Sequence, residues 1–407
     1  MRRRVVACVA LLAAAVGWPL AAQEAAPVAQ APQIFLVTMG PGATVYERYG
    51  HNAIWVRDTL DGTDIVYNYG TFDFGRTAGD VARFVGRFAM GRPEYWLGTM
   101  TMGQTVEVYT RAQRDVELQE LALPAAARRD LAARLARNAL PEHRGYTYDY
   151  FLDNCSTRIR DMLDAATNGA LQEATTGVPA EGSFRFHTHR SLTNDVPMYL
   201  GILLALGPPA DQAIDQWSEM FLPAKVQERV RELRVVGDDG REVPLVQREV
   251  RLVDIGMYHV EAAPPKWGGW LLLVGGALAL LILTGRADSA AGVPGRVAAT
   301  IWLVVSGVGG LALLFLWFAT NHVAAAWNHN LYFLSPLAFG LVRAVWSEER
   351  RAAGRWAPRT ALLMLALSAI GVLLAFFPSF GGQWNLQVAA LVAPPTIACA
   401  LLTLRPE

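Results

Sequence analysis

Long apolar runs in the last third of the chain constrain its fold more than any other feature. Five stretches there have the length or apolar character of membrane spans: 267–284, 298–319, 331–346, 360–377 and 385–403. The third is the shortest and contains Pro336, so a re-entrant segment is the alternative at that place. We therefore predict an α-helical transmembrane domain at 266–407 with about five helices.

The arginines between these stretches predict the orientation of the domain. Arg286 and Arg296 lie between the first two stretches, and Arg359 belongs to a group of arginines between the third and fourth, whereas 320–330 and 378–384 contain no Lys or Arg. Because positively charged loops stay in the cytoplasm, the first span should enter from outside. The polar residues at 321–322 and 327–330 then lie at the outer surface, where they could form a hydrated loop, meet a lipid head group or contact the exported domain.

The N-terminus has the pattern of a secretory signal. Three arginines at 2–4 precede the apolar run 5–16, and small residues lead up to Ala22. We predict a signal peptide at 1–22, with an uncleaved anchor helix as the alternative, and a disordered linker at 23–32. Residues 33–265 then form a periplasmic catalytic domain. Lys+Arg and Asp+Glu are 36 each, so no net charge points to nucleic acid as a partner.

Strand and helix patterns alternate within the exported domain, which predicts an α+β fold. The apolar segment 198–206 is too short to span a bilayer, so it belongs either to the core or to the membrane interface. Strands are predicted at 33–39, 49–57 and 105–109, a return arm of a hairpin at 64–70, a hairpin at 235–250, and helices around 81–88, at 125–140, from 155 onward and at 223–233.

Cys155 is the candidate nucleophile. Of three cysteines, Cys8 lies in the signal and Cys399 in an apolar run, so Cys155 is unpaired in an oxidising compartment. Asp153 or Asn154 can cap a helix that places Cys155 in its first turn, where the helix dipole should lower the thiol pKa. The alternative is a small cysteine buried in the core.

His51 is the base that we would pair with Cys155. It is the one histidine of seven that opens a predicted strand, directly after a glycine. Asn68 on the paired strand could orient the imidazole, as a third polar group does in Cys-His-Asn sites. His187 and His189 are competing bases and raise the alternative of a metal site. The helix-borne His pairs or Cys-x-x-Cys motifs typical of zinc sites are missing from the sequence, so no metal or cofactor is expected.

These motifs resemble a known family. A histidine on a strand, followed 104 residues later by an Asn-Cys pair at a helix start, looks like the permuted papain-like fold of the NlpC-type superfamily, as in the lecithin:retinol acyltransferase group. More narrowly, segments 49–53, 67–74 and 153–158 resemble the Lnb family of bacterial lipoprotein N-acyltransferases. In that family a periplasmic domain of this kind precedes a membrane bundle.

The resemblance implies a multi-pass protein of the bacterial inner membrane that forms a thioester on Cys155. The acyl donor would be a phospholipid, and the acceptor the N-terminal amine of a diacylated apolipoprotein. A cysteine peptidase acting on cell-wall peptides and a non-catalytic envelope scaffold are the alternatives. The residues expected to contact substrate are Asn154, Tyr49, Tyr69, Arg158 and Arg190.

Overall fold

The computed structural model describes residues 31–287, 289–346, 356–377 and 382–404. The predicted signal peptide and all but the last two residues of the predicted linker lie outside the described residues. The strands within the described part are β1 (Gln33–Met39), β2 (His51–Asp58), β3 (Thr63–Thr71), β4 (Glu94–Met100), β5 (Val116–Leu121), β6 (Gly145–Thr147), β7 (Arg234–Val236), β8 (Glu242–Pro244) and β9 (Val246–Val253).

An antiparallel seven-stranded sheet organises the N-terminal half, in the order β6-β4-β3-β2-β1-β5-β9. β1 pairs with β2 along its whole length, so that Met39 lies opposite His51. Six of the seven β1 residues are buried, so both faces of the sheet are covered. β7 and β8 form a separate hairpin.

Helices cover the two faces of this sheet. They are α1 (Ala78–Ala89), α2 (Met102–Arg111), α3 (Ala125–Asn138), α4 (Cys155–Ala166), α5 (Ala170–Thr175), α6 (Phe184–Ser191), α7 (Val196–Ala205), α8 (Gln216–Glu219) and α9 (Pro223–Glu232). One cluster joins alternate strand residues such as Leu36 and Ile54 to α3, α4 and α9, and a second joins Val37 and Ala53 to α2.

The strand predicted at 105–109 is wrong, because these residues lie in α2. Val106 and Val108 alternate with polar residues, which favoured a strand, but a capping box overrides that pattern. The Thr101 hydroxyl accepts the Gln104 N–H, and the Gln104 side chain accepts the Thr101 N–H at 2.9 Å. These reciprocal bonds satisfy donors that the first helical turn leaves free. The predicted β1, the β2–β3 hairpin and the helices α1, α3, α4 and α9 are confirmed.

Four helices of the C-terminal half are long and apolar enough to cross a membrane within the described ranges. The predicted third span, 331–346, is not among them. It consists instead of short 3-10 turns at His329–Tyr332, Pro336–Leu341 and Arg343–Val345. The four helices are α10 (Gly268–Leu283), α11 (Val293–Phe318), α12 (Trp356–Phe376) and α13 (Leu386–Thr403).

This broken segment is irregular because proline interrupts it and neighbouring helices satisfy its backbone. Pro336 has no N–H to donate. Gly310 of α11 lets the segment come close, since a Cβ there would lie 2.7 Å from the Leu334 carbonyl oxygen. The hydroxyls of Ser306 and Thr396 donate to the carbonyl of Phe333 at 3.2 and 3.4 Å. Non-helical backbone at membrane depth requires such internal partners.

The apolar helix α7 joins the two halves. Its residues Tyr199 and Leu203 pack in one cluster with side chains of the membrane helices. The amides of Asn328, Asn330 and Gln383 donate to carbonyls at the C-terminal end of α7 or just beyond it, at 2.8 to 3.1 Å. Asn328 and Asn330 are buried, so the loop at 327–330 contacts the exported domain rather than forming a hydrated loop.

Candidate active site

Cys155 is the first residue of α4, as predicted, and Asn154 is the N-cap. The Asn154 Oδ1 accepts the N–H groups of Ser156 and Thr157 at 2.8 and 2.9 Å, and its Nδ2 donates to the carbonyl of Phe221 at 3.0 Å. The amide is therefore fully used in building the helix start and leaves no free group for a substrate. Cys155 itself is a free, half-buried thiol.

His51 and Cys155 meet across Gly70. Gly70 lies near the end of β3 with a φ of +89°, and a Cβ built on it would lie 3.3 Å from Cys155 Cβ and 3.8 Å from His51 Cε1. Because glycine has no side chain, the space beside Gly70 stays open, and Cys155 and His51 both border this space. The backbone N–H of Asn52, the residue after His51, also reaches the Cys155 sulfur as a hydrogen-bond donor. The predicted pair is thus brought together.

Asn68 is a hydrogen-bond partner of the His51 imidazole. Its Nδ2 donates to the Val66 carbonyl at 3.3 Å, and its Oδ1 can accept from the ring. The hydrogen bond to Asn68 raises the His51 pKa, as expected when the amide oxygen accepts a ring N–H. One ring nitrogen is then the donor to Asn68, and the other is free to accept a proton from the thiol.

Burial and a nearby cation keep His51 neutral. Burial and then the charge of Arg114 lower its pKa to about 4, against the smaller opposing effect of Asn68. Arg114 stacks on Tyr109, whose ring in turn lies parallel to that of His51. Its Nε donates to the Gly40 carbonyl at 2.8 Å, and its Nη1 approaches Glu47 Oε1 at 3.3 Å. A guanidinium held so firmly acts on the site as a fixed positive charge.

The prediction that the helix start lowers the Cys155 pKa is wrong in direction. Burial raises it above its ordinary value. The N–H groups of Asn52 and Ser156, the Ser156 hydroxyl and the Arg114 charge all act in the opposite direction, but they do not outweigh burial. With the thiol pKa raised and the imidazole pKa lowered, the resting site contains a neutral thiol and a neutral base rather than an ion pair.

Two donors face the thiol. The Cys155 N–H has no acceptor among the described residues, in contrast to the capped N–H groups of Ser156 and Thr157. The hydroxyl of Tyr146 is buried and lies 3.9 Å from the Cβ position of Gly70. The Gly70 N–H approaches the phenol oxygen as a donor, so the phenol proton remains available to a substrate. Burial and then the nearby Cys155 raise the Tyr146 pKa, so the phenol stays protonated and able to donate.

Tyr69 and Arg158 lie behind Tyr146. The Tyr69 hydroxyl accepts from Asn138 Nδ2 at 2.8 Å, and Arg158 lies 3.8 Å from the Tyr146 ring while pairing with Asp153 at 2.6 Å. Both line a surface depression of about 350 Å³. Tyr69 and Arg158 therefore contact Tyr146 and help to position it, and the structure shows no contact of either residue with the Cys155 sulfur among the described residues.

Tyr49, Arg190 and the competing histidines lie elsewhere. Tyr49 packs in a cluster with Phe151 and Phe221, and burial raises its pKa despite a hydrogen bond to the Thr188 side chain. Arg190 donates to His187 Nδ1 at 3.1 Å, and His187 Nε2 lies 3.0 Å from Glu219 Oε1. His189 packs against Tyr199. The contacts of Arg190, His187 and His189 hold α6 in place and involve neither Cys155 nor His51.

Sequence reasoning missed Gly70, Arg114 and Tyr146. Gly70 was visible as the end of a strand, but its role depends on which helix packs against it. Arg114 is distant in sequence from both predicted catalytic residues, whereas Tyr146 is nine residues before Cys155 but lies on a different element, β6. Neither carried a local signal. Throughout the described ranges, no group of three or more His, Cys, Asp or Glu side chains is arranged to hold a metal ion.

Two family models match the chain in sequence order. The Lnb N-terminal periplasmic domain matches residues 22–195, which contain the whole site, and the Lnb transmembrane domain matches residues 265–399. Comparison with curated proteins and with solved structures gives no match. The matches and the four apolar helices make this a membrane protein with a periplasmic part. Because the two domains follow one another and together cover most of the sequence, the chain belongs to the Lnb family.

Proposed function

We propose that this protein transfers an acyl chain from a membrane phospholipid, through a thioester on Cys155, to the N-terminal amine of a diacylated apolipoprotein. The observation that carries the proposal is the approach of Cys155 and His51 across Gly70. The acyl donor and acceptor follow from the Lnb resemblance. The contacts of α7 with the membrane bundle also support a lipid donor, because they hold the site beside a bilayer.

In the first half-reaction His51 accepts the thiol proton as the Cys155 sulfur attacks the ester carbonyl of the lipid. The new S–C bond gives a tetrahedral oxyanion, which the Cys155 N–H and the Tyr146 hydroxyl stabilise. The C–O bond to the glycerol oxygen then breaks, and His51 donates its proton to that oxygen. The products are a lysophospholipid and an acylated Cys155.

In the second half-reaction the neutral α-amine of the acceptor attacks the thioester carbonyl. His51 takes a proton from the attacking nitrogen, the C–S bond breaks, and the proton passes to the leaving sulfur. An amide and the free thiol result, so the site returns to its neutral resting state. A neutral base suits both steps, because His51 must be unprotonated at the start of each.

The proposed location is the bacterial inner membrane, with the site in the periplasm. The arginine pattern of the loops and the family's periplasmic domain support it. The proposed fold relationship is to the permuted papain-like proteins. It is supported by the chain order of His51 and Cys155 and by the position of the cysteine at a helix start against an antiparallel sheet.

The test is to incubate the purified full-length protein with phospholipid and no acceptor. Intact-mass analysis should find one acyl chain, removable by hydroxylamine and located on Cys155. Cys155→Ser should lose the adduct, whereas Cys399→Ala, which removes a buried cysteine of the membrane bundle, should keep it. A protein that transfers acyl chains without any adduct would refute the thioester. Cleavage of cell-wall peptides without acylation would favour the peptidase.

A further inference from the structure

Helix α1 exposes the face that it should bury. Val81, Val85 and Phe88 recur at helical spacing, which predicts packing against a core, yet they are 41%, 54% and 47% exposed. The structure buries no residue of this helix among those described. Phe74, just before the helix, continues the same surface and is 43% exposed. An apolar patch of this kind marks a surface that contacts something else.

The C-terminal end of α1 is fastened to a membrane helix. His322, four residues beyond the end of α11, donates from Nε2 to the Phe88 carbonyl at 3.0 Å and accepts at Nδ1 from the Tyr150 hydroxyl at 3.1 Å. The Asn321 N–H donates to the Met90 carbonyl at 3.0 Å. The last residue of α11, Phe318, is 72% exposed. The apolar face of α1 therefore begins where the membrane span ends.

A row of aromatic rings connects α1 to the thiol. Phe84 of α1 stacks on Phe72 with ring centroids 5.5 Å apart, and Phe72 packs on Tyr95 at 5.0 Å. Tyr95 stacks on Tyr148 at 4.3 Å. The Tyr148 ring lies 6.5 Å from the ring of Tyr146, whose hydroxyl is 3.9 Å from the Cβ position of Gly70, and Cys155 Cβ is 3.3 Å from the same position. The row therefore runs from the exposed helix to the surroundings of Cys155.

We infer that α1 lies in the outer surface of the bilayer, with Val81, Val85 and Phe88 in the lipid, and that its aromatic row guides an acyl ester from the membrane to Cys155. The second part rests on the proposed function, whereas the first does not. Arg83 and Arg87 lie on the opposite side of the helix, where their exposed or half-exposed side chains pair with Asp80 and Glu94. Interfacial helices carry such basic residues toward anionic head groups.

The first test measures membrane depth without any need for activity. A nitrobenzoxadiazole fluorophore is attached at Val85→Cys in full-length protein carrying Cys8→Ala, Cys155→Ser and Cys399→Ala. The protein is reconstituted in phosphatidylethanolamine and phosphatidylglycerol vesicles doped with acyl-chain spin-labelled phosphatidylcholine. Because an interfacial helix buries its apolar face in the acyl boundary, we expect the spin label to reduce fluorescence about twofold. The same fluorophore at Arg83→Cys should change little. Equal quenching at both positions, or none at Val85, overturns the inference.

The second test separates membrane delivery from chemistry. Val85→Glu places a charge on the apolar face, and Gly86→Glu places the same charge on the far side of the helix, where nothing lies within 4 Å. For vesicle phospholipid, Val85→Glu should lower kcat/KM about tenfold, and Gly86→Glu should not. Acylation by a water-soluble short-chain p-nitrophenyl ester should be unchanged in both. An equal loss with both donors would overturn the guiding role. If the unaltered protein forms no thioester from either donor, the proposed function fails, and the depth measurement alone decides where α1 lies.

Discussion

Gly70→Ala should separate Cys155 from His51 while leaving the protein folded. The added methyl group would lie 3.3 Å from Cys155 Cβ, closer than most real contacts of a Cβ, and 3.8 Å from His51 Cε1. The distance to His51 is an ordinary van der Waals contact, so the strain falls on Cys155, and the start of α4 must move by a few tenths of an ångström. This movement is not free, because the Asn154 cap fixes the start of α4. His51 stays in place through the pairing of β2 with β1.

The size of the effect follows from two separate costs. A residue with a side chain in a left-handed backbone conformation costs about 1–2 kcal/mol, which a domain of ordinary stability tolerates. Displacement of a reacting group by about 1 Å costs on the order of 10²-fold in rate. Because the expected movement is only a few tenths of an ångström, we expect thioester formation to slow roughly tenfold, with normal accumulation in the membrane.

Gly62→Ala provides the matched control. Gly62 lies in the turn of the same hairpin with a φ of +80°, but a Cβ there would meet nothing within 4 Å. It carries the same kind of backbone strain without the contact. Single-turnover acylation by excess phospholipid, followed by intact mass, compares the two variants. An unimpaired Gly70→Ala, or equal losses in both, would refute the argument that the gap at Gly70 brings thiol and base together.

Four further predictions test the site and the architecture. His51→Gln should lower turnover about 10²–10⁴-fold at normal membrane levels, and full activity would assign the base elsewhere. Activity should fall with decreasing pH through about 4, where His51 becomes protonated. Arg114→Met removes a charge that lowers the His51 pKa, so this limb of the kcat/KM profile should move to higher pH, and an unmoved limb contradicts the electrostatic role. Tyr146→Phe should slow acylation about 10²-fold by removing an oxyanion donor, and an unchanged rate excludes that role. A topology reporter fused at residue 265 should be periplasmic and one at residue 355 cytoplasmic; a cytoplasmic signal at 265 would overturn the orientation.

Local signals in the sequence were enough to predict much of this architecture. The β2–β3 hairpin follows from alternating apolar residues around an Asp-Gly turn, and α4 from its cap and its apolar spacing. His51, Asn68 and Cys155 could be chosen because each opens or faces a predictable element. The strand prediction for 105–109 was wrong because the alternation of Val106 and Val108 was given more weight than the capping box, which is also present in the sequence.

Properties that depend on packing between distant segments could not be predicted. The Cys155 pKa depends on how deeply the thiol is buried, and the helix dipole alone gave the wrong direction. Arg114 and Tyr146 reach the site only through the order of strands in the sheet. The broken segment at 331–346 keeps the composition of a span, while its irregular backbone depends on hydroxyl groups of α11 and α13.

The contacts of α7 with the membrane bundle also fix the height of the site. Gln387 donates to the carbonyl of Pro265 at 2.9 Å, so the segment that connects the two halves is fastened as well. A domain on a loose tether would search a range of depths, and its encounter rate with lipid would depend on the length of the tether. Here Cys155 stays at one level, so in the proposed acyl transfer the lipid ester has to rise to meet it. The thickness and lateral pressure of the bilayer would then be kinetic variables of that reaction.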